Sequence, residues 1–205
     1  MADPLSCRGK SRNREVYDQG LNDVLGDFLL TLVDSMDTLA IMGNHSEFSS
    51  AVQMVVENLS FDKDNIIQVF EVNIRVLGSL LSSHLLAKYP MTGPPVSGYQ
   101  DGLLELAIDL ADRLLPAFDT PTGIPYPRVN LKYGVPMEST SETCTAGGGT
   151  LILEFGVLSA LTGNPIYEEK AKNALFSLWN RKSKLDLFGN GIDAKTGAVS
   201  ITGLG

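Results

Sequence analysis

The chain has 205 residues, 43% hydrophobic and 20% charged, which is enough apolar material for one domain with a buried core and too much for a disordered segment. A net charge of −8 and a pI near 4.7 repel phosphate backbones and anionic lipid, so nucleic acid and membrane surfaces are excluded as partners and a neutral ligand is favoured. No apolar run is expected to reach the roughly 18 residues of a membrane span, and residues 1–7 lack the charged-then-apolar layout of a secretory leader.

In chain order the pattern is mostly helical. Residues 27–42 are apolar on most faces and predict a buried helix ending at Gly43 and Asn44, a natural C-terminal cap. Ser46 is the expected N-cap of a second helix running to about Leu59, and residues 60–65 read as a polar loop. A third helix begins near Val69, with Phe70, Ile74, Leu77, Leu81 and Leu85 on one stripe. After a Pro/Gly-rich connection (89–98), a helix is expected over about 100–115, ended by Pro116. Residues 119–147 look irregular. Within them 124–131 could be extended, and Pro125 and Pro127 confine any strand there to an edge.

Two further helices are expected at about 149–162 and 165–182, joined by Gly163, Asn164 and Pro165. The tail from Gly189 to Gly205 is rich in turn formers. One echo organises the whole: a buried helix ending at Gly43-Asn44 and another ending at Gly163-Asn164, each followed by a helix that folds back. That is the unit of an array of helical hairpins.

Several side chains could carry chemistry. Glu71 and Arg75 stand four apart at a helix start and so share a face. On spacing alone they form a surface ion pair, but their almost wholly apolar flanks favour a cleft. Asp34 and Asp37 lie on or near a hydrophobic helix, where a charge must be paired or face a cavity, and both readings stay open. Arg128 either binds a ligand or closes its loop. His45 and His84 have no ligand partners at useful spacing, so no metal site is expected from them. Cys7 and Cys144 are too few for a disulfide scaffold and read as free thiols. Asn44 and Asn58 each begin an Asn-X-Ser sequon, a weak glycosylation signal.

Three stretches resemble the class I α1,2-mannosidases of glycoside hydrolase family 47: 35–43 with Asp37, 69–84 with Glu71 and Arg75, and 149–156 with Glu154. Residues 4–7, 21–26, 123–131 and 142–147 narrow the resemblance to the branch of ER degradation-enhancing α-mannosidase-like proteins. It covers nearly the whole chain. It implies an all-α fold, an (α/α)7 barrel of helical hairpins, with only about the first half present. Residues 1–205 are then a partial catalytic domain, truncated at both ends.

The implied activity is inverting hydrolysis of terminal α1,2-linked mannose from high-mannose N-glycans of misfolded glycoproteins; the alternative is a factor of the same fold that recognises mannose without cutting it. By resemblance Glu71 is the general acid and Arg75 its partner, while Glu154, Arg128 and Asp37 contact substrate. An arginine beside Glu71 favours the carboxylate, whereas an acid must hold its proton; an intervening water or desolvation would reconcile the two. The family's calcium is implied as cofactor, with its threonine ligand beyond Gly205 and no metal ligand in this chain.

Location in the ER lumen is likewise implied, with Cys7 paired to a cysteine beyond Gly205 rather than to Cys144. Asn44 and Asn58 become glycosylation candidates there, Asn44 the better exposed, and an ER oxidoreductase is a further candidate partner. The 205 residues alone are expected to be inactive.

Overall fold

The computed structural model describes residues 2–3, 8–9, 26–91 and 93–202. Cys7 lies outside the described residues, as do the resemblance stretches 4–7 and 21–25. Two short strands, β1 (Ala2–Asp3) and β2 (Arg8–Gly9), pair antiparallel at the start. The remainder is three helical hairpins in two layers, joined at one end by small strand pairs.

The first hairpin is α1 (Leu30–Val33) and α2 (Met36–Ile41), folded back on α3 (His45–Asn58). The single helix expected over 27–42 is broken. Leu29 sits in the left-handed region at φ 55°, so the helix cannot start before Leu30, and Asp34 and Ser35 interrupt it. Gly43 turns the chain at φ 77° as expected. The cap of α3 is Asn44 rather than Ser46, whose hydroxyl instead points back to the Asn44 side chain at 3.4 Å.

The next segment is less polar inside than its sequence suggests. Phe61 is fully buried and packs on Phe28 with ring centroids 5.7 Å apart, and buried Asn65 donates to the Gly26 carbonyl at 2.6 Å. Strand β3 (Ile66–Gln68) then runs straight into α4 (Val69–Val72), a π-helical turn over Asn73–Leu77, and α5 (Gly78–Lys88). The outer partner is α6 (Gly102–Leu114). The α-helix ends just before Pro116 as expected, and the proline opens a 3-10 turn, Leu115–Phe118.

Residues Arg128–Asn130 form β4, paired antiparallel with β3 so that Arg128 faces Gln68; both strands are edges, as the flanking prolines require. The third hairpin is α7 (Thr145–Gly149) and α8 (Ile152–Thr162) against α9 (Ile166–Trp179), turned by Gly163 at φ 73°. Helix α9 thus ends three residues short of the expected 182. The tail is more ordered than its turn formers imply. Strands β5 (Glu142–Cys144), β6 (Gly191–Asp193) and β7 (Val199–Ile201) make an antiparallel sheet, knotted by Asp193, whose carboxylate accepts from Ser141 and from the backbone of Lys195 and Thr196.

The stretch Thr145–Thr162 is long and apolar enough to cross a membrane by composition, contrary to the reading above. It is nonetheless interrupted at Thr150 and Leu151, and its buried residues Leu151, Phe155 and Leu158 sit in the main core. Phe155 stacks at an angle on Phe118 and edge-on to Tyr167.

The inner row is α1–α2, α4–α5 and α8; the outer row is α3, α6 and α9. Core residues follow helical spacing on each, as in Leu103, Ala107, Leu110, Ala111 and Leu114 of α6. His84 is buried inside this frame, its Nδ1 2.9 Å from the Tyr99 hydroxyl and 3.8 Å from Asp101, with Lys88 beyond on the same carboxylate.

Burial holds the His84 pKa below its usual 6.5, against the pull of Asp101. The unfolded chain therefore takes up this proton first as pH falls, so His84 contributes stability above about pH 6.5 that is lost below it. Urea denaturation at pH 7.5 and pH 5.5 is expected to show this loss, and His84→Gln to shrink it. Phe61→Ala is expected to cost about 3–5 kcal/mol in the same assay, since the ring leaves a cavity among buried residues.

Candidate active site

Glu71 is the third residue of α4, directly after strand β3. Its Oε2 accepts from Arg75 Nε at 2.6 Å, with side-chain exposures of 22% for Glu71 and 41% for Arg75. The carboxylate is thus neither sealed nor thrown out into solvent. An ion pair this exposed contributes about 0–1 kcal/mol. Its consequence is geometric: one oxygen is pinned, and the other has no partner among the described residues.

The π-helical turn begins two residues after Glu71. Such turns insert one residue into a helix and displace the side chains that follow. Asn73 lies within it, fully buried, and donates from Nδ2 to Glu154 Oε2 at 2.7 Å. Its own Oδ1 is buried without a partner. Glu154, in the first turn of α8, lies over Gly78, where an added Cβ would stand 3.7 Å from its Cγ and Oε1. Asn73 therefore ties the helix of Glu71 to that of Glu154. Nothing in its spacing announced this role; the one signal was a polar residue inside an apolar run.

Arg128 stands on the strand beside β3, in a cleft whose lining includes Phe70 but not Glu71. It faces Gln68 across the β3–β4 ladder, and the Val69 amide donates to the Pro127 carbonyl at 2.9 Å, so the extended segment is locked to the start of α4. A cleft of about 200 Å³ opens there between Phe70, Arg128, Glu142 and Cys144. Cys144 carries a free thiol whose sulfur accepts from the Gly147 amide at 3.1 Å, capping α7.

Asp37 is not brought to this cluster. It accepts from Ser82 at 3.0 Å, eleven residues and about 16 Å along the helix from Glu71. Asp34 accepts from Ser79 at 3.5 Å, a weak bond of the same kind. Asn44 and Asn58 are both exposed at the two ends of α3; the Asn58 amide is engaged with the Met54 carbonyl at 2.8 Å. Among the described residues no group of three or more His, Cys, Asp or Glu could hold a metal ion.

The arrangement offers a partly shielded carboxylate, a guanidinium beside it, and a second carboxylate steadied by a buried amide. Such a set can donate a proton and bind several hydroxyls.

The sequence profile described as glycosyl hydrolase family 47 matches residues 2–205. An Arabidopsis thaliana alpha-mannosidase I is 51% identical over 194 residues, 95% of this chain and 29% of the relative. ER degradation-enhancing alpha-mannosidase-like protein 1 of Schizosaccharomyces pombe is 48% identical over 95% of this chain and 25% of its own length. Human ER degradation-enhancing alpha-mannosidase-like protein 3 is 46% identical over 95% and 22%. A solved alpha-1,2-mannosidase from Trichoderma reesei superposes with a TM-score of 0.73 at 32% identity, covering 83% of this chain and 37% of that one. The chain spans about a third or less of the length of these curated relatives.

Asn73→Ala is expected to cost about 1–3 kcal/mol in urea denaturation, because Glu154 loses its buried donor. Asn73→Asp, which sets a second carboxylate against Glu154, is expected to cost more.

Proposed function

Because the chain belongs to glycosyl hydrolase family 47 and carries three of the helical hairpins of its (α/α)7 barrel, we propose that the whole protein hydrolyses terminal α1,2-linked mannose from high-mannose N-glycans. The observation that carries this reading is the Glu71–Arg75 pair, partly shielded, with one carboxylate oxygen unpartnered among the described residues. A protein that only bound mannose would have no need of a proton donor held in this way.

In the proposed reaction Glu71 delivers a proton to the departing glycosidic oxygen, directly or through one water. A second carboxylate, from a part of the barrel outside these residues, activates water on the opposite face of the sugar. An inverting pair stands roughly 6.5–9.5 Å apart to admit that water. Arg75 fixes the Glu71 rotamer and turns its remaining N–H groups toward the sugar, and Glu154, held by Asn73, accepts hydroxyl protons. Arg128 lines the approach. Asp37 is assigned to holding α2 against α5 at Ser82 rather than to the sugar.

No step is routed through a metal; the calcium implied by the family is assigned to oxygen ligands outside the described residues. The names of the S. pombe and human relatives support a place in ER degradation, and we assign the protein to the ER lumen with misfolded glycoproteins as clients. A lumenal setting would allow glycosylation at Asn44 and an oxidised Cys7, and would give an ER oxidoreductase a substrate.

In the full-length protein Glu71→Gln is expected to lower mannose release from Man9 and Man8 glycans at least 100-fold, with oligomannose binding retained, as read by glycan profiling and calorimetry. Unchanged release would remove the acid role. Binding with no release by the wild type would make the protein a lectin-like factor. Residues 1–205 alone are expected to release none, because the proposed reaction draws its second carboxylate from another part of the barrel.

A further inference from the structure

Away from Glu71, between the 3-10 turn, the loop after β4 and the turn after β6, lies a larger cleft of about 590 Å³. Its size falls in the range of small-molecule sites, about 300–1,000 Å³. Tyr126 and Tyr133 form two of its walls, and Asp119, Ser139 and Lys195 supply the polar groups.

The aromatic at the rim is displayed on a built support. Asn130 and Gly134 exchange backbone hydrogen bonds at 2.9 Å, closing a tight loop with Gly134 at φ 80°. The Asn130 Oδ1 accepts from the amides of Lys132 and Tyr133 at 2.9 and 3.2 Å, and its Nδ2 donates to Asp64 at 2.8 Å. Leu131 is buried beneath, while Tyr133 is 70% exposed. The opposite rim is equally fixed: Asp193 ties down the turn that carries Lys195, whose Nζ stands 5.7 Å from the Tyr126 ring centre.

Tyr133 is thus an exposed aromatic on a turn whose other residues are pinned, so presenting its ring to a ligand carries little ordering cost. The polar groups point the same way. The hydroxyls of Tyr126 and Tyr133 and the carboxylate of Asp119 have no hydrogen-bond partner among the described residues, and Lys195 has no carboxylate partner there.

A ligand for such a cleft must carry many donors and acceptors, little net charge, and an apolar face to lie on a ring. A carboxylate and an ammonium at one mouth, on a chain of charge −8, disfavour polyanions. A neutral saccharide meets all of these conditions.

The chain path joins this cleft to the smaller one lined by Phe70, the residue before Glu71. Tyr126 lines the one and Arg128 the other, two residues apart along an extended segment, about 7 Å. We propose that this cleft is a second saccharide subsite, in which Tyr133 and Tyr126 stack on a sugar ring of the same oligomannose whose terminal residue reaches Glu71. The proposal rests on the glycan reading above and adds to it a residue that selects long substrates over short ones.

The test compares an oligomannose N-glycan, Man9GlcNAc2, with the disaccharide α1,2-mannobiose on the full-length protein. Tyr133→Ala is expected to raise KM for Man9GlcNAc2 about tenfold with kcat unchanged, and to leave mannobiose cleavage as it was. Tyr133→Phe, which keeps the ring, is expected to restore most of the affinity. The proposal is overturned if Tyr133→Ala leaves the oligomannose KM unchanged, or if it weakens both substrates equally. It is also overturned if an unfolded polypeptide, rather than oligomannose, protects Tyr133 from iodination.

Calorimetry with Man9GlcNAc2 separates this subsite from the hydrolase reading. Binding that depends on Tyr133 in a wild type that cleaves nothing would defeat the hydrolase reading alone. Cleavage that is indifferent to Tyr133 would defeat the subsite alone.

Discussion

Polar side chains on the inner helices must find partners sideways, and that constraint sets the geometry of the molecule. An inner helix is packed on both flanks and behind, so a charge or amide placed there cannot simply turn to solvent. Two lateral bonds answer this requirement, Asp37 with Ser82 and Asn73 with Glu154, while exposed Asp34 makes only a weak contact with Ser79. The two aspartate–serine contacts share one sequence offset in the same direction, so α1–α2 and α4–α5 run parallel, as the inner members of successive hairpins must. Apolar packing alone tolerates sliding, because one leucine ridge resembles the next. A hydrogen bond does not. These contacts fix the stagger of neighbouring inner helices, and with it the height at which Glu71 and Glu154 stand.

The strand pairs serve the same end. Both β3 and β5 pass without a loop into helices, α4 and the short α7 that precedes α8, so these helix starts are anchored by ladder hydrogen bonds as well as by packing. Glu71 and Glu154 each occupy the first turn of a helix, where the macrodipole favours a negative charge by about 0.3–1 kcal/mol. Proline on either side of Tyr126 leaves an extended segment with one free edge. That segment can border a ligand on one side and pair with β3 on the other.

The helical hairpins were legible because their signals are local: apolar stripes of helical period, and a glycine where the chain must turn with positive φ. Gly43 and Gly163 both do so, each between the two arms of a hairpin. The Glu71–Arg75 contact was legible for the same reason, being four residues apart on one face. What could not be read is non-local. No pattern within 189–205 shows that β6 will find β5 some fifty residues earlier, nor within 60–65 that Phe61 will be covered by Phe28. The break at Leu29 and the capping by Asn44 depend on backbone angles that tertiary packing imposes. Asn73 shows the limit most clearly, since its partner is 81 residues away.

The π-helical turn over Asn73–Leu77 has a bearing on how such a helix can vary. A helix advances about 100° per residue, so the extra residue here acts as a phase shift between two segments that must each keep their own bearing. Upstream stands Glu71; downstream, Ser79 and Ser82 look toward α1–α2. Dropping one residue from the turn would leave the helix continuous and every residue type in place, yet would swing the serines away from both aspartates. Substitutions in this stretch are tested one side chain at a time, but insertions and deletions are tested all at once, by the whole lower half of the helix.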